Sequence, residues 1–185
     1  PLGLNADPMG VYFALIASGL WILTSFYSIG YMRGADEKKQ TRYFSYFAVC
    51  LSATIGIAFS SNLITFIFFY EILTLATYPL VIHNENREAI NAGRKYLAFT
   101  LTAGLLLIAA SALVYHYTGS LDFTPGGLFT EIDLPPTTLL IIFILFLGGV
   151  GVKAGIMPLH SWLPAAMAAP TPVSALLHAV AVVKS

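Results

Sequence analysis

The stretch GGVGVKAGIMPLHSWLPAAMAAPTP, Gly148 to Pro172, places a lysine inside an apolar run and follows it with four prolines in fifteen residues. No single straight helix holds Pro158, Pro164, Pro170 and Pro172, because each proline removes a backbone donor and crowds the preceding turn. Yet the stretch stays apolar, so it is read as a discontinuous membrane helix or as short helices joined by tight turns. Broken backbone at membrane depth survives only where protein or a hydrated cavity satisfies it. Transporters use such breaks to build ion sites. Lys153 precedes the break and His160 lies within it. The competing reading is an interfacial loop anchored by Trp162.

Outward from this stretch the chain keeps the same character. Of its 185 residues 57% are hydrophobic and 10% charged, whereas a soluble domain usually carries about 25% charge. The expected fold is an all-α integral membrane bundle of multi-pass type. Helices are expected at about 11–31, 43–59, 63–82, 95–117 and 137–155, then a break over 156–170, and a sixth helix from 171 that is cut at 185. Pro8 suits a helix start. Ser60-Ser61-Asn62 reads as a turn with Asn62 as N-cap. The chain starts without Met and stops inside an apolar segment, so it is expected to be part of a longer polypeptide.

Charge supports the threading. Arg33, Lys38, Lys39 and Arg42 lie in the connection 33–42, and Arg87, Arg94 and Lys95 in the connection 87–95. Two helices separate these connections, so all seven cations fall on one face. The acidic connection from Thr118 to Pro136 and the turn at Ser60 fall on the other. The positive-inside rule puts the basic loops in the cytoplasm, and a prokaryotic inner membrane is expected.

The net charge of zero gives no pull toward nucleic acid. The single cysteine, Cys50, excludes an internal disulfide or a thiolate cluster. His83 and His116 do not pair as ligands, and no nucleotide-binding glycine loop is present. No metal, cofactor or catalytic site of its own is expected, and a quinone-binding redox subunit is the weakest reading.

Four titratable residues remain inside apolar segments: Glu71, Lys153, His178 and Lys184. A charge near the bilayer centre costs about 2.5–3.5 kcal/mol on insertion scales. Such groups usually face the bundle interior and mark ion routes. Burial favours the uncharged form of a carboxyl or an amine, which brings both closer to proton exchange near neutral pH. Thr74 and Tyr78 share a helical face with Glu71 by spacing and could hold its carboxylate. Gly151 and Gly155 form a GxxxG pattern that permits close helix packing. The alternative is static: a Glu71–Lys153 ion pair that locks a structural scaffold.

The run LHSWLPAAMAAPTPVSALLHA, Leu159 to Ala179, closely resembles the signature of the antiporter-like membrane subunits of respiratory complex I, membrane-bound hydrogenases and Mrp cation/proton antiporters. Its form looks most like the distal subunit of complex I and the large subunit of Mrp. YSIGYM (Tyr27 to Met32) and FFYEILTLATYPLV (Phe68 to Val81) add weaker support. The resemblance implies an inverted-repeat fold of about fourteen helices, of which this chain holds about six. It implies proton or sodium/proton translocation beside other membrane subunits of a complex. By matched position, Glu71 and Lys153 are the family's glutamate–lysine pair, and His178 and Lys184 its following relay groups.

Overall fold

The computed structural model describes residues 2–129, 132, 134–167 and 169–176. His178 and Lys184 therefore lie outside the described residues. The described residues are helical throughout, with two isolated β-bridges and no strand. The helices are α1 (Pro8–Gly34), α2 (Gln40–Ala58), α3 (Leu63–Val81), α4 (Arg87–Thr118) and α5 (Pro136–Ala154). After them come a 3₁₀ turn at Leu159–Ser161 and two short helices, α6 (Trp162–Ala166) and α7 (Thr171–Leu176). Four segments are long and apolar enough to cross a bilayer: Pro8–Gly34, Leu63–Val81, Arg87–Thr118 and Pro136–Ala166. The weaker apolar run of α2, which opens Gln40-Thr41-Arg42, is carried between α1 and α3.

Helix ends follow local chemistry. Asp7 caps α1 by accepting from the Gly10 amide at 2.7 Å, Asn62 caps α3 through Thr65, and Asn86 caps α4 through Ala89. The largest departure from the sequence reading is the start of α4, at Arg87 rather than near Lys95. Its first turns carry Arg87, Glu88, Arg94 and Lys95, so they read as a loop. Their buried residues, Ala89, Ala92, Gly93 and Tyr96, nevertheless repeat at helical spacing. α1 likewise starts at Pro8 and runs on to Gly34, and α2 begins at Gln40. In each case the extension is polar or ends the apolar run, where hydropathy gives no helical signal.

Consecutive helices pack side by side, α1 on α2, α2 on α3, α3 on α4 and α4 on α5. The broken segment then returns across the bundle, with α6 against α4 and α7 against α1. Burial is inverted relative to a soluble protein. α1 buries a narrow stripe, Gly10, Ala14, Ala17, Trp21, Ser28 and Met32, and turns Leu15, Leu23 and Phe26 outward. α5 turns Phe143 and Ile144 outward in the same way. These exposed apolar faces suit lipid as solvent.

The two ends of the bundle are closed by different means. At one end the segment before α1 and the connection after α4 lace across the α2–α3 turn through backbone bonds. These include Asn5 N–H to Phe59 O at 2.8 Å and Phe123 N–H to Ser61 O at 3.0 Å. At the other end, side-chain charges join the α1–α2 and α3–α4 connections. Glu85 accepts from Lys39 Nζ at 2.6 Å and from Arg42 at 2.6 Å.

Small residues set how closely the helices approach. A Cβ on Gly10 would collide with the backbone carbonyl of Ala58, which cannot rotate away. Gly10→Ala is therefore expected to push α1 off α2 and cost about 1–3 kcal/mol, the usual range for overpacking. The check is a lowered midpoint of thermal unfolding for the detergent-solubilised protein. Gly19→Ala, where a Cβ meets open space, serves as the control and is expected to leave it unchanged.

Candidate functional site

Lys153 lies in the last turn of α5, one residue before its end, and is 2% exposed. Its ammonium donates to the Tyr70 backbone carbonyl at 2.9 Å and sits 3.4 Å from the centre of the Tyr70 ring. Carbonyl and ring face are what a desolvated ammonium requires: a hydrogen-bond acceptor and a diffuse negative surface. Tyr70 is tied to α5 a second time, since its hydroxyl donates to the Gly149 carbonyl at 2.9 Å. One residue of α3 thus anchors both the side chain and the backbone of α5. The same Tyr70 carbonyl accepts from Thr74 Oγ1 at 3.1 Å.

Glu71 is the next residue on α3 and is directed toward α4. Its carboxyl occupies the space left by the missing side chain of Gly104, where a Cβ would collide with Oε1. Oε1 is buried and has no hydrogen-bond partner among the described residues. The ion pairs among the described residues all lie at the α1–α2 and α3–α4 ends, among Glu37, Lys39, Arg42, His83 and Glu85, and none joins Glu71 to Lys153. The two charges act on each other through space. The structure thus departs from a static Glu71–Lys153 pair. Thr74 and Tyr78 do not bond the carboxylate either. Thr74 turns back to its own helix, and Tyr78 packs against α4 where Gly93 gives room.

A second polar group lies beside this pair. The Tyr96 hydroxyl, fully buried on α4, sits next to the Thr74 and Thr77 hydroxyls without a well-formed hydrogen bond. Thr77 Oγ1 donates to the Leu73 carbonyl at 2.7 Å and lies 3.7 Å from Cys50 Sγ. Buried hydroxyls with unused capacity are unusual, and each needs an explanation.

The break itself is a built structure. Gly155 ends α5 at φ +67°, a conformation that glycine adopts at low cost. The Ile156 amide reaches back to the Gly151 carbonyl at 3.0 Å, closing the helix end. The Trp162 indole donates to the Val152 carbonyl at 2.7 Å and is 1% exposed. Trp162 is therefore a core residue, and the interfacial-loop reading is corrected. The prolines sit at starts: Pro158 before the 3₁₀ turn, Pro164 in the first turn of α6, Pro170 before α7 and Pro172 within its first turn. His160 lies in the 3₁₀ turn with its Nδ1 buried and unpartnered among the described residues.

The GxxxG expectation also needs correcting. Gly155 closes the helix, and a Cβ on Gly151 would make only ordinary contact with Ile156. The close approach of α5 to α4 is made by Gly148 and Gly149, where a Cβ would meet Leu106 at 2.9 Å and Leu107 at 2.5 Å. Sequence reasoning does not reach Tyr70, Tyr96, Trp162 or Gly104 as site residues. Tyr70 has one available signal, its place beside Glu71. Gly104 has none, as one of 15 glycines.

An apolar helical bundle with a buried lysine at a helix break is the architecture of a multi-pass membrane protein. Comparison with known proteins sharpens this. The family described as NADH:quinone oxidoreductase/Mrp antiporter, transmembrane, matches residues 60–185, and the chain belongs to that family. It is 34% identical over 182 residues to hydrogenase-4 component B of Escherichia coli, covering 98% of this chain and 27% of that one. It is 34% identical over 191 residues to a Na(+)/H(+) antiporter subunit of Alkalihalophilus pseudofirmus, covering 100% of this chain and 23% of that one. The chain thus spans about a quarter of the length of these relatives. Among solved structures, that of the Mrp complex from Dietzia superposes with a TM-score of 0.85 at 26% identity, over 98% of this chain and 20% of its counterpart.

The fit between Gly104 and Glu71 predicts non-additive energetics. Gly104→Ala alone is expected to cost about 1–3 kcal/mol through overpacking. In a Glu71→Ala background the group that the new methyl meets is gone, and the added cost is expected to fall near zero. A double-mutant cycle on thermal unfolding measures the coupling. Additive effects would show that the carboxyl does not occupy that space.

Proposed function

We propose that this chain is the ion-translocating part of an antiporter-like subunit in a multisubunit membrane complex. It moves protons, or exchanges sodium for protons, through a relay that includes Glu71 and Lys153 and continues to His178 and Lys184. The observation that carries the reading is Lys153: a buried ammonium held by the Tyr70 carbonyl and ring, within reach of the Glu71 field but outside direct pairing. A carbonyl accepts from the charged amine, and loss of the proton leaves no buried countercharge in contact. The amine can therefore change protonation state without tearing apart an ion pair, whose rupture in a protein interior costs about 3–5 kcal/mol. The broken backbone beyond Lys153 is bonded to the end of α5 through Trp162, so the break and the lysine are mechanically linked.

The family membership and the antiporter protein among the relatives support this reading. Other membrane subunits are the expected partners, the basic connections 33–42 and 87–95 the cytoplasmic face, and a prokaryotic inner membrane the site. Thr74, Tyr78 and His160 are assigned supporting places around the relay, and no cofactor is assigned. Redox chemistry in such a complex would belong to its other subunits.

The test is flux of protons and sodium in sealed vesicles that hold the complete parent complex. Lys153→Ala and Glu71→Ala are each expected to lower flux by about a hundredfold or more, the range in which a positioned proton-transfer group acts, with the complex still assembled by native gel. Unchanged flux in Lys153→Ala would make the buried charges structural and the chain a scaffold.

A further inference from the structure

His83 sits just past α3, in the connection to α4, and is 6% exposed. It lines a cavity of about 360 Å³ together with Asp36, Glu37, Lys38, Lys39, Asn84 and Glu85. Its Nε2 faces Glu37 Oε2 at 3.8 Å, its Nδ1 is buried without a hydrogen-bond partner among the described residues, and the Tyr43 ring of α2 covers it edge-on. A buried, half-satisfied imidazole beside a carboxylate at a cavity wall is an unusual feature, since buried polar atoms are nearly always paired.

The surroundings show what such a group controls. Arg42 donates to the His83 carbonyl at 3.3 Å and to Glu85 at 2.6 Å, and Lys39 binds the same Glu85. These cations hold the Glu85 carboxyl down at about 2, so it stays charged across the working pH range. Asp36, Lys39 and Glu85 all have left-handed backbone, at φ 49°, 59° and 52°. Such geometry is strained for residues other than glycine and persists only where neighbours enforce it. The two connections are thus strained segments fastened by a charge clasp, with His83 beneath it.

We propose that His83 and Glu37 form a proton-binding site at this face, separate from the Glu71–Lys153 relay, and that its protonation loosens the clasp between the α1–α2 and α3–α4 connections. A proton taken up from the cavity side makes the imidazole a cation. Glu37, the Lys38 backbone and Glu85 favour that cation, whereas Arg42 opposes it. Asp36, Lys38, Lys39 and Glu85 are the other charged groups on the cavity wall. The new positive charge lies directly under Arg42 and weakens its hold on the His83 carbonyl.

The direction of the pH dependence follows from linkage. Burial is the largest influence on the ring and pushes its proton affinity below the usual value. The unfastened loops therefore take up the proton more readily than the fastened ones. The clasp is fully stabilised above about pH 6.5 and weakens as pH falls below it.

Hydrogen–deuterium exchange on the intact parent complex in vesicles, without an ion gradient, tests this. Between pH 7.5 and 5.5, after correction for intrinsic exchange, amides of residues 36–42 in the wild type are expected to lose protection by about threefold or more. His83→Gln keeps a neutral polar group in place and is expected to abolish the loss. Glu37→Gln, which removes a carboxylate that favours the cation in the fastened state, is expected to deepen the loss at pH 5.5 while its onset stays near pH 6.5. Equal loss in wild type and His83→Gln, or no loss in wild type, would overturn the site. The readout involves no transport, so its failure is distinguishable from failure of the relay tested with Lys153→Ala.

Discussion

A lysine ammonium taken out of water has to find acceptors, and in this chain the acceptor is a helix carbonyl. The Tyr70 carbonyl already serves its own helix, yet a carbonyl has two lone pairs and takes Lys153 as well. That bond ties the end of α5 to α3, while the body of α5 packs on α4. The α4 contact is close because Gly148 and Gly149 put no side chain there. α5 stops just past the tie. The last carbonyls of a helix lack partners, and one of them, Val152, accepts from the Trp162 indole. The helix break and the buried lysine are thus two parts of one arrangement.

The bundle ends differ in kind, and the difference has consequences. Backbone bonds lace the end at Ser60–Asn62, and these are indifferent to pH and salt over ordinary ranges. The other end relies on Lys39, Arg42 and Glu85, whose exposed pairs are individually weak and screened by salt. One end of the molecule is therefore a fixed seam and the other a responsive one. In a membrane protein that places the adjustable end on the face bearing the basic loops.

The architecture is largely legible in the sequence because the bilayer imposes a strong rule: apolar runs long enough to span, with charges between them. Tracts such as Leu63–Val81 and Pro136–Ala154 stand out for that reason. The start of α4 is hidden because its first turns leave the apolar tract, where helix caps and buried alanines carry the only signal. Glu71 and Lys153 stand out because charge is rare in such segments. Their partners do not. Tyr70 holds Lys153 largely through a backbone atom that every residue possesses, and Gly104 matters through an absent side chain. The GxxxG pattern misleads because spacing cannot tell a packing glycine from a helix-ending one, and Gly155 is the latter. His178 and Lys184, which lie outside the described residues, rest on the resemblance and on their place in the sequence.

The geometry around α3 gives the absence of a direct Glu71–Lys153 pair a physical sense. Consecutive residues on a helix point about 100° apart, so Tyr70 and Glu71 cannot serve the same neighbour. Tyr70 turns to α5 and Glu71 to α4, while Thr74 and Thr77 lie toward Tyr96. The carboxylate and the ammonium are then held by different helices and coupled only by their fields. A contact pair would be all-or-none, because breaking it strands a charge. A field coupling grades with distance, so in the proposed relay a change in the Glu71–Lys153 separation alters the coupling without severing any bond to Lys153. Closing the pair would add little stability, because desolvating two buried charges largely offsets their attraction, so the open arrangement carries no large stability penalty.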